Sequence, residues 1–422
     1  MGRALIIAKG SFGDIIPMYA IAKELRGRGH RVLFATQARH LHAAHSLGLD
    51  VARIDRCDDL SSSSKARSSR FLPWISNDAL GGTRRSFQAE LEVLMPLART
   101  SDVVIGNQLA ISGPLVAGSR GCPWIYCAVS PLGLASQDNP CLFPLIHRLQ
   151  RPFIGNALVD ACSLALVRGY SSLFSSFVAR AQVRLGLRHL GHPRFAGLFS
   201  RELNLILTSP RLFGRLPVSP PHAVVTGWTW LEPWFLRDSE KEKRALAFMQ
   251  GGSPPLLYAL GGNARSRPGS FFQESLKASR RLGMRTLIVA SSRFHAAIPA
   301  SADVCVTSYL PYSLLFPHVL AVVHSGGIGT IGWSIRCNRP SLLVPGADDQ
   351  FDNSFRAMRG GLAQVLPRRG YRASAVASAL ETVLGDDAMA ARLRKASTEV
   401  AQEDGAVVAC DHIEQFLSRR SR

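Results

Sequence analysis

The sequence predicts an α/β protein with two domains, each built around a parallel β-sheet. Short apolar runs recur along all 422 residues, and stretches with helical apolar spacing lie between them. Such continuous runs are typical of strands buried on both faces of a parallel sheet. A glycine-rich turn follows one run in each half, at residues 10–14 and 325–330. The length is sufficient for two α/β domains of ordinary size.

The first half begins with a strand, a turn and a helix. Pro17 is predicted to open this helix, and Gly27 to end it. Asn139–Leu187 predicts two or three amphipathic helices, whose apolar faces suit either core packing or a binding pocket. The predicted strands of this half are Arg3–Ala8, His30–Thr36, Val103–Gly106, Trp124–Val129 and Leu203–Thr208.

The second half follows Pro217–Trp234, whose prolines and aromatics are typical of an interdomain linker. A charged helix is predicted at Asp238–Met249. The predicted strands are Pro255–Leu260, Thr286–Ala290, Val304–Thr307, Leu320–Val323 and Pro340–Pro345, and the last helices are Tyr371–Leu384, Met389–Val400 and one near Cys410–Leu417.

Composition excludes several classes of protein. No stretch reads as 18 or more consecutive apolar residues, so we expect no transmembrane helix, and Arg3–Ala8 begins a strand rather than a signal peptide. The eight cysteines have neither CxxC nor Cys/His metal spacing, which favours reduced thiols in a cytoplasmic protein. The net charge of +20 suits either attraction to anionic partners or an arginine-rich solvated surface. Basic residues are dispersed, so we expect no nucleic-acid binding.

Three local patterns have alternative interpretations. The first turn has only Gly10 and Gly13 where a dinucleotide fingerprint needs three glycines, and the next predicted strand lacks a final acid, so NAD or flavin binding is disfavoured. His42 and His45 are one helical turn apart, but no carboxylate or cysteine joins them, which favours an exposed face over a metal site. Asp58–Arg70 is serine-rich and predicts a mobile loop.

The stretch around residues 309–350 has the most specific pattern. A buried strand ending at His324 continues into Ser325–Thr330 and then into helical spacing. This geometry directs free amides and the positive end of a helix dipole at an anion, usually a phosphate. Asp349 and Gln350 follow the next strand, at the edge where ligands of open α/β sheets bind.

These residues resemble the nucleotide-sugar signature of inverting family 1 glycosyltransferases, which have the GT-B fold. The bacterial form is approximately aromatic-x-P, HHGGxGT and PxxxDQ. The three blocks match here in order, as Tyr309-Leu310-Pro311, His324–Thr330 and Pro345 with Asp349-Gln350. Ser325 replaces the second histidine of the family, and Gly332 occupies the position of an acid that contacts the ribose in plant members.

The resemblance implies two Rossmann-like domains facing each other across a cleft, and it implies roles for the matching residues. The diphosphate would be bound by His324, Gly326, Gly327, Gly329 and Thr330, with Gly262 and Asn263 in a second loop. Tyr309 would stack on the base, the Leu310 backbone would pair with it, and Asp349 and Gln350 would hold sugar hydroxyls.

The first turn resembles the GSxGDxxP block of the rhamnolipid, sterol and glycopeptide-antibiotic branches. It reads Gly10–Pro17, with Ser11 and Phe12 in the acceptor loop. The resemblance makes Asp14 the base that faces the acceptor hydroxyl. The alternative is that Asp14 is an N-cap carboxylate of the helix at Pro17.

The expected domains are 1–215 for the acceptor, 216–250 as linker, 251–400 for the nucleotide sugar, and 401–422 as a helix returning to the first domain. We expect an inverting, cytoplasmic glycosyltransferase that needs no cofactor or metal. Its partners would be a nucleoside diphosphate sugar (dTDP- or UDP-linked) and an apolar hydroxylated acceptor, with peripheral membrane contact as a further expectation. The alternatives are a nucleotide-sugar 2-epimerase and a non-catalytic nucleotide-sugar-binding subunit.

Overall fold

The computed structural model describes residues 2–55, 84–144, 146–188, 190–212, 220–260, 269–299 and 301–420. The predicted loop Asp58–Arg70 lies outside these ranges, as do Gly262 and Asn263. The chain divides into two compact units. The first contains Met1–Leu231 and Asp404–Arg422, and the second contains Glu232–Glu403.

The first unit holds a seven-stranded sheet in the order β3-β2-β1-β4-β5-β6-β7, and all neighbouring pairs are parallel. The β1–β2 register pairs Ala4 with Val32, and the β1–β4 register pairs Ala4 with Val103. The strands are β1 Arg3–Ala8, β2 Arg31–Thr36, β3 Asp50–Arg53, β4 Val103–Asn107, β5 Trp124–Ala128, β6 Leu203–Ile206 and β7 Ala223–Val225.

The second unit holds a six-stranded parallel sheet in the order β10-β9-β8-β11-β12-β13. The predicted strands here are confirmed to within two residues at each end. The strands are β8 Leu256–Ala259, β9 Thr286–Val289, β10 Val304–Thr307, β11 Ala321–His324, β12 Ser341–Leu343 and β13 Gln364–Val365.

Helices connect the strands. In the first unit they are α1 Phe12–Gly27, α2 Ala38–Ser46, α3 Arg84–Ala98, α4 Gly113–Gly118, α5 His147–Gln150, α6 Ala157–Arg184 and α14 Gly405–Arg420. In the second unit they are α7 Ser239–Gln250, α8 Phe271–Arg281, α9 Tyr312–Leu315, α10 Ile328–Arg336, α11 Gln350–Arg359, α12 Ala373–Gly385 and α13 Asp387–Ala401. Short 3₁₀ turns occur at Pro131–Leu134, Arg151–Phe153, Pro210–Leu212, Trp234–Leu236, Ser292–Ala297, Phe316–His318 and Arg368–Gly370.

Both sheets reverse their strand order at one point, between β1 and β4 in the first unit and between β8 and β11 in the second. Open α/β sheets bind ligands beyond the carboxyl ends of the strands at such a switch point. The turn after β1 contains Ser11, and the turn after β11 contains Gly326. The topology of each unit therefore brings its predicted site residues to the expected edge.

The predicted start of α1 was wrong. Pro17 lies inside the helix, which begins at Phe12, and Ser11 is its N-cap. The reason is that Ser11 and Asp14 form a capping box, a stronger start signal than a proline. Asp14 is consequently the third helical residue and not the N-cap.

The described part of the predicted linker, residues 220–250, contributes to both units. β7 pairs with β6 in the first sheet, and α7 packs against the second sheet through Ala245 and Met249. The second sheet has a core on each face, one with Phe271 and Tyr371, the other with Leu310 and Phe316.

Helix α14 packs on α1 within the first unit. The Arg28 guanidinium donates to Asp411 over 2.6 Å and to Glu414 over 2.8 Å, and His30 Nε2 lies 2.8 Å from the other Glu414 oxygen. These bonds lower the pKa of the Glu414 carboxyl. The last described helix therefore completes the unit that contains β1.

Helix α6 bends by 69° between Leu173 and Ser175. Among the described residues no single helix has the length and apolar content of a membrane span, although the two halves of α6 together reach them. The inward side of α6 contributes Leu164 to a small cluster with Phe143 and Phe195.

Candidate active site

A tight turn joins β11 to α10. Gly326 has a φ of +80° and is buried, and a Cβ at this position would overlap the hydroxyl of Ser354 on α11. Only glycine meets both conditions without strain. The turn is thus closely packed against α11, and Gly327 then caps α10.

The start of α10 presents open backbone donors. Within the described part of the chain, the amides of Ile328, Gly329 and Thr330 donate to no group. Gly329 is exposed, and Gly327 and Thr330 are half-buried. Three free amides at the positive end of a helix can bind an anion such as a diphosphate.

His324 lies beneath this turn and is 1% exposed. Its Nδ1 accepts from the Gly326 amide over 3.2 Å, so the neutral ring has its proton on Nε2. Burial lowers the pKa of His324 to about 3. The side chain is therefore uncharged at neutral pH and holds the turn rather than adding positive charge to it.

The turn after β12 carries Asp348, with a φ of +48°, followed by Asp349 and Gln350. Gln350 Oε1 accepts from the amides of Gly346 and Ala347 over 3.0 and 3.1 Å, and its side chain is nearly buried. This oxygen closes the turn and fixes the position of the neighbouring Asp349, which is half-buried.

An aromatic row follows β10. The Tyr309 ring lies 5.8 Å from that of Tyr312, which stacks on Phe316 at 4.7 Å. The Tyr312 hydroxyl accepts from Thr330 Oγ1 over 3.4 Å, which links the row to α10. Burial raises the pKa of Tyr309, so its ring is neutral. Leu310 is fully buried, and its amide and carbonyl bond to no described group.

In the first unit, the turn after β1 is fixed by Asp14. Asp14 Oδ2 accepts from both the amide and the hydroxyl of Ser11, each over 2.8 Å. Gly10 has a φ of +112°, and a Cβ there would lie 2.6 Å from Asp14 Oδ2. Phe12 is 38% exposed, and its ring meets that of His40 edge-on at 4.9 Å. Ser11 and Phe12 thus lie on the exposed side of the turn.

Proteins of known function resemble the chain along its whole length. No family model matches this sequence. An O-mycaminosyltylonolide 6-deoxyallosyltransferase from Streptomyces fradiae is 26% identical, over 99% of this chain and 98% of that protein. Glycosyltransferase GtfE from Amycolatopsis orientalis is 24% identical, over 97% and 96%. A sterol 3-beta-glucosyltransferase from Debaryomyces hansenii is also 24% identical, but the chain spans only 26% of its length.

The solved structures that resemble this chain are glycosyltransferases too. The calicheamicin glycosyltransferase CalG4 matches with a TM-score of 0.73 and 17% identity, over 99% of both chains. Glycosyltransferase VinC in complex with dTDP matches with a TM-score of 0.68 and 16% identity, over 99% of this chain and 100% of that one. The chain is a glycosyltransferase. Its predicted GT-B fold is confirmed.

Two buried asparagines of this glycosyltransferase were not predicted. Asn107, at the end of β4, donates from Nδ2 to the carbonyls of Lys9 and Asp14 over 2.8 and 3.1 Å. Asn353 donates from Nδ2 to Asp349 Oδ2 over 2.8 Å and to the Gly326 carbonyl over 3.4 Å. Each side chain thus bridges two chain segments at the edge of the sheet where the candidate site lies. For Asn353 the spacing of four residues from Asp349 on a helix was an available signal.

The remaining predictions for the glycosyltransferase concern the histidines of α2, a metal site and the second phosphate loop. His42 and His45 are exposed on α2, whereas His40 is buried. Among the residues that the structure describes, no group of three or more His, Cys, Asp or Glu could hold a metal ion. Gly262 and Asn263 follow β8, outside the described ranges, so their role stays a prediction.

Proposed function

We propose that this glycosyltransferase moves a sugar from a nucleoside diphosphate sugar to a hydroxyl of an apolar natural product or lipid, with inversion. The observation that carries the proposal is the turn between β11 and α10. Its left-handed Gly326, and the three amides that donate to no described group, support an anion site at a switch point of the sheet.

The donor would lie along the second sheet. The amides of α10 and the Thr330 hydroxyl would stabilise the departing diphosphate, while His324 positions their turn. Tyr309 would stack on the base, beside the Leu310 backbone, whose amide and carbonyl bond to no described group. Asp349 and Gln350 would hold sugar hydroxyls, with Asn353 orienting the Asp349 carboxylate.

The reaction is a single displacement at the anomeric carbon. Asp14 would take the proton of the acceptor hydroxyl while its oxygen bonds to the anomeric carbon. The bond from that carbon to the diphosphate oxygen breaks, and its electron pair leaves with the nucleoside diphosphate. Attack opposite the leaving group inverts the configuration. The proposed steps use no metal or cofactor, because the backbone amides of α10 would stabilise the negative charge of the leaving diphosphate.

The acceptor is inferred to be apolar. One relative is by name a sterol 3-beta-glucosyltransferase, and a sterol is an apolar alcohol. Within the segment Asn139–Leu187, the inward-facing side chains Phe143 and Leu164 are apolar, which suits the same class of acceptor. Turnover confined to free sugars or water-soluble glycans would contradict this inference.

We infer further that a deoxythymidine donor serves at least as well as its uridine counterpart. Gly332, where plant relatives have the ribose-binding acid, offers no side chain to a 2′-hydroxyl. The VinC relative holds dTDP, which supports the same choice. A preference of more than roughly tenfold for the uridine donor, about 1.4 kcal/mol, would count against it.

A cytoplasmic location is proposed, with no nucleic-acid partner. All seven described cysteines are free thiols, which supports a reducing compartment. The basic residues are dispersed over the sequence rather than gathered in a nucleic-acid module.

The test is a panel of UDP- and dTDP-sugars, each incubated with purified protein and with apolar alcohols such as a sterol, a macrolide aglycone or a hydroxy fatty acid. We expect acceptor-dependent release of nucleoside diphosphate and a glycoside of inverted configuration. Release of a rearranged free sugar from donor alone would indicate the 2-epimerase. Donor binding without any turnover would indicate the non-catalytic subunit.

A further inference from the structure

An exposed apolar surface lies on α5 and α6. Of the seven large hydrophobic side chains that are exposed in the described part of the chain, six belong to residues 149–183. We define the α5–α6 surface by these six, which are 56–78% exposed: Leu149, Phe153, Leu158, Leu166, Leu173 and Val183. Soluble proteins scatter such side chains singly, and their concentration in one segment of the chain indicates an interaction site.

The surface follows the geometry of a helix face. At about 100° per residue, Leu158, Leu166 and Leu173 fall within an arc of about 80° on the first half of α6. The opposite side of the same helix carries the buried Asp160 and Leu164. Apolar side chains therefore lie on two sides of the helix, and only the side with Leu164 packs against the protein.

The charge around this surface is one-sided. Residues 139–199 contain seven arginines and a single acid, Asp160, which is buried and accepts from the Gly155 amide over 2.8 Å. Five of the arginines are exposed, namely Arg148, Arg151, Arg180, Arg184 and Arg188. Exposed leucines beside arginines are typical of helices that lie in the interface of an anionic bilayer.

We propose that the α5–α6 surface docks the protein on an anionic lipid membrane, with the leucines inserted among the acyl chains and the arginines at the headgroups. A second copy of the chain fits less well, because a two-fold dimer would bring two arginine-rich surfaces together, and the segment 139–199 has no exposed acid to pair with them. The surface goes beyond the proposed reaction, since it lies outside the residues assigned to sugar transfer. It would bring the enzyme to an acceptor that is dissolved in the membrane.

The experiment is co-sedimentation of the full chain with two kinds of vesicle, phosphatidylcholine alone and equal parts of phosphatidylcholine and phosphatidylglycerol. We expect binding to the anionic vesicles that is at least about tenfold tighter and that weakens with added salt. The variant Leu166→Ser with Leu173→Ser, and the variant Arg148→Gln with Arg151→Gln, should each lose about tenfold or more. Both should keep the wild-type melting temperature and donor affinity, because the side chains are exposed.

The matched control is Arg394→Gln with Lys395→Gln, which removes the same charge from exposed positions of α13 in the second unit. It should bind vesicles as wild type does. Equal loss in the control would mean that net charge and not this surface is responsible. Absence of vesicle binding, or a dimer that depends on Leu166 and Leu173, would overturn the proposal, and neither result would affect sugar transfer in solution.

Discussion

Ser11 donates both its backbone N–H and its hydroxyl to one carboxylate oxygen of Asp14, each over 2.8 Å. These two bonds start α1 and at the same time fix the carboxylate at the edge of the first sheet. The capping and catalytic interpretations of Asp14 are thus compatible, and substitutions can separate them.

Replacing Asp14 by Asn should lower kcat about 10²–10⁴-fold, because the amide cannot accept the acceptor proton. Asn keeps an oxygen for Ser11, so donor affinity and melting temperature should stay near wild type. The control Ser11→Ala removes only the hydroxyl donor and should cost about 1 kcal/mol of stability or less, with most of kcat retained. If Asp14→Asn loses both stability and activity, Asp14 serves only to cap the helix. If the variant keeps full activity, another residue is the base.

Replacing Gly326 by Ala should destabilise the protein by about 2–4 kcal/mol and weaken donor binding, because the left-handed backbone and the Ser354 hydroxyl both oppose a Cβ. Ser354→Ala alone should be neutral or stabilising, since its buried hydroxyl has no partner among the described residues. Combined with Gly326→Ala, it should restore about half of the lost stability in urea denaturation. Purely additive effects would show that the two residues do not touch.

Replacing Tyr309 by Ala should weaken binding of the nucleoside diphosphate by about 1–3 kcal/mol, the range for one stacked base, and leave the rate at saturation nearly unchanged. Tyr309→Phe keeps the ring and should bind as wild type. Titration calorimetry separates the outcomes. If the alanine variant binds the nucleoside diphosphate with unchanged affinity, Tyr309 is not part of the site. If both variants lose the same affinity, the hydroxyl and not the ring is responsible.

His324 should make the folded state sensitive to acid. Its pKa falls from the ordinary 6.5 to about 3 through burial, so between these values the unfolded chain binds a proton that the folded chain does not. Stability should drop by about 1.4 kcal/mol per pH unit as pH falls through this window. His324→Asn keeps an acceptor for the Gly326 amide and does not titrate. As the pH falls from about 7 to about 5, the free energy of unfolding of this variant should rise by roughly 2 kcal/mol relative to that of wild type. If the two pH curves stay parallel, His324 takes up its proton as readily in the folded protein as in the unfolded chain.

The fold was largely readable from the sequence because parallel strands are short apolar runs. The run Val304–Thr307, for example, is β10 without a change of boundary. β7 was missed because its three residues lie among prolines and aromatics, and their pairing with β6 is a tertiary effect. The residues at the site-bearing edges of the two sheets were predicted from the spacing of glycines and acids. Asn107 was not predictable, because a single amide has no periodic pattern and its bonds join segments that are far apart in sequence.

The packing of α14 on α1 also sets the order in which the protein is completed during synthesis. The bonds from Arg28 to Asp411 and Glu414 close a loop that contains all of the second unit. The second unit is continuous in sequence and can fold as soon as it leaves the ribosome. The first unit is completed only when α14 is translated, and until then the α14-binding side of α1 is uncovered. Chains that stop before α14 would leave that surface exposed to chaperones and proteases.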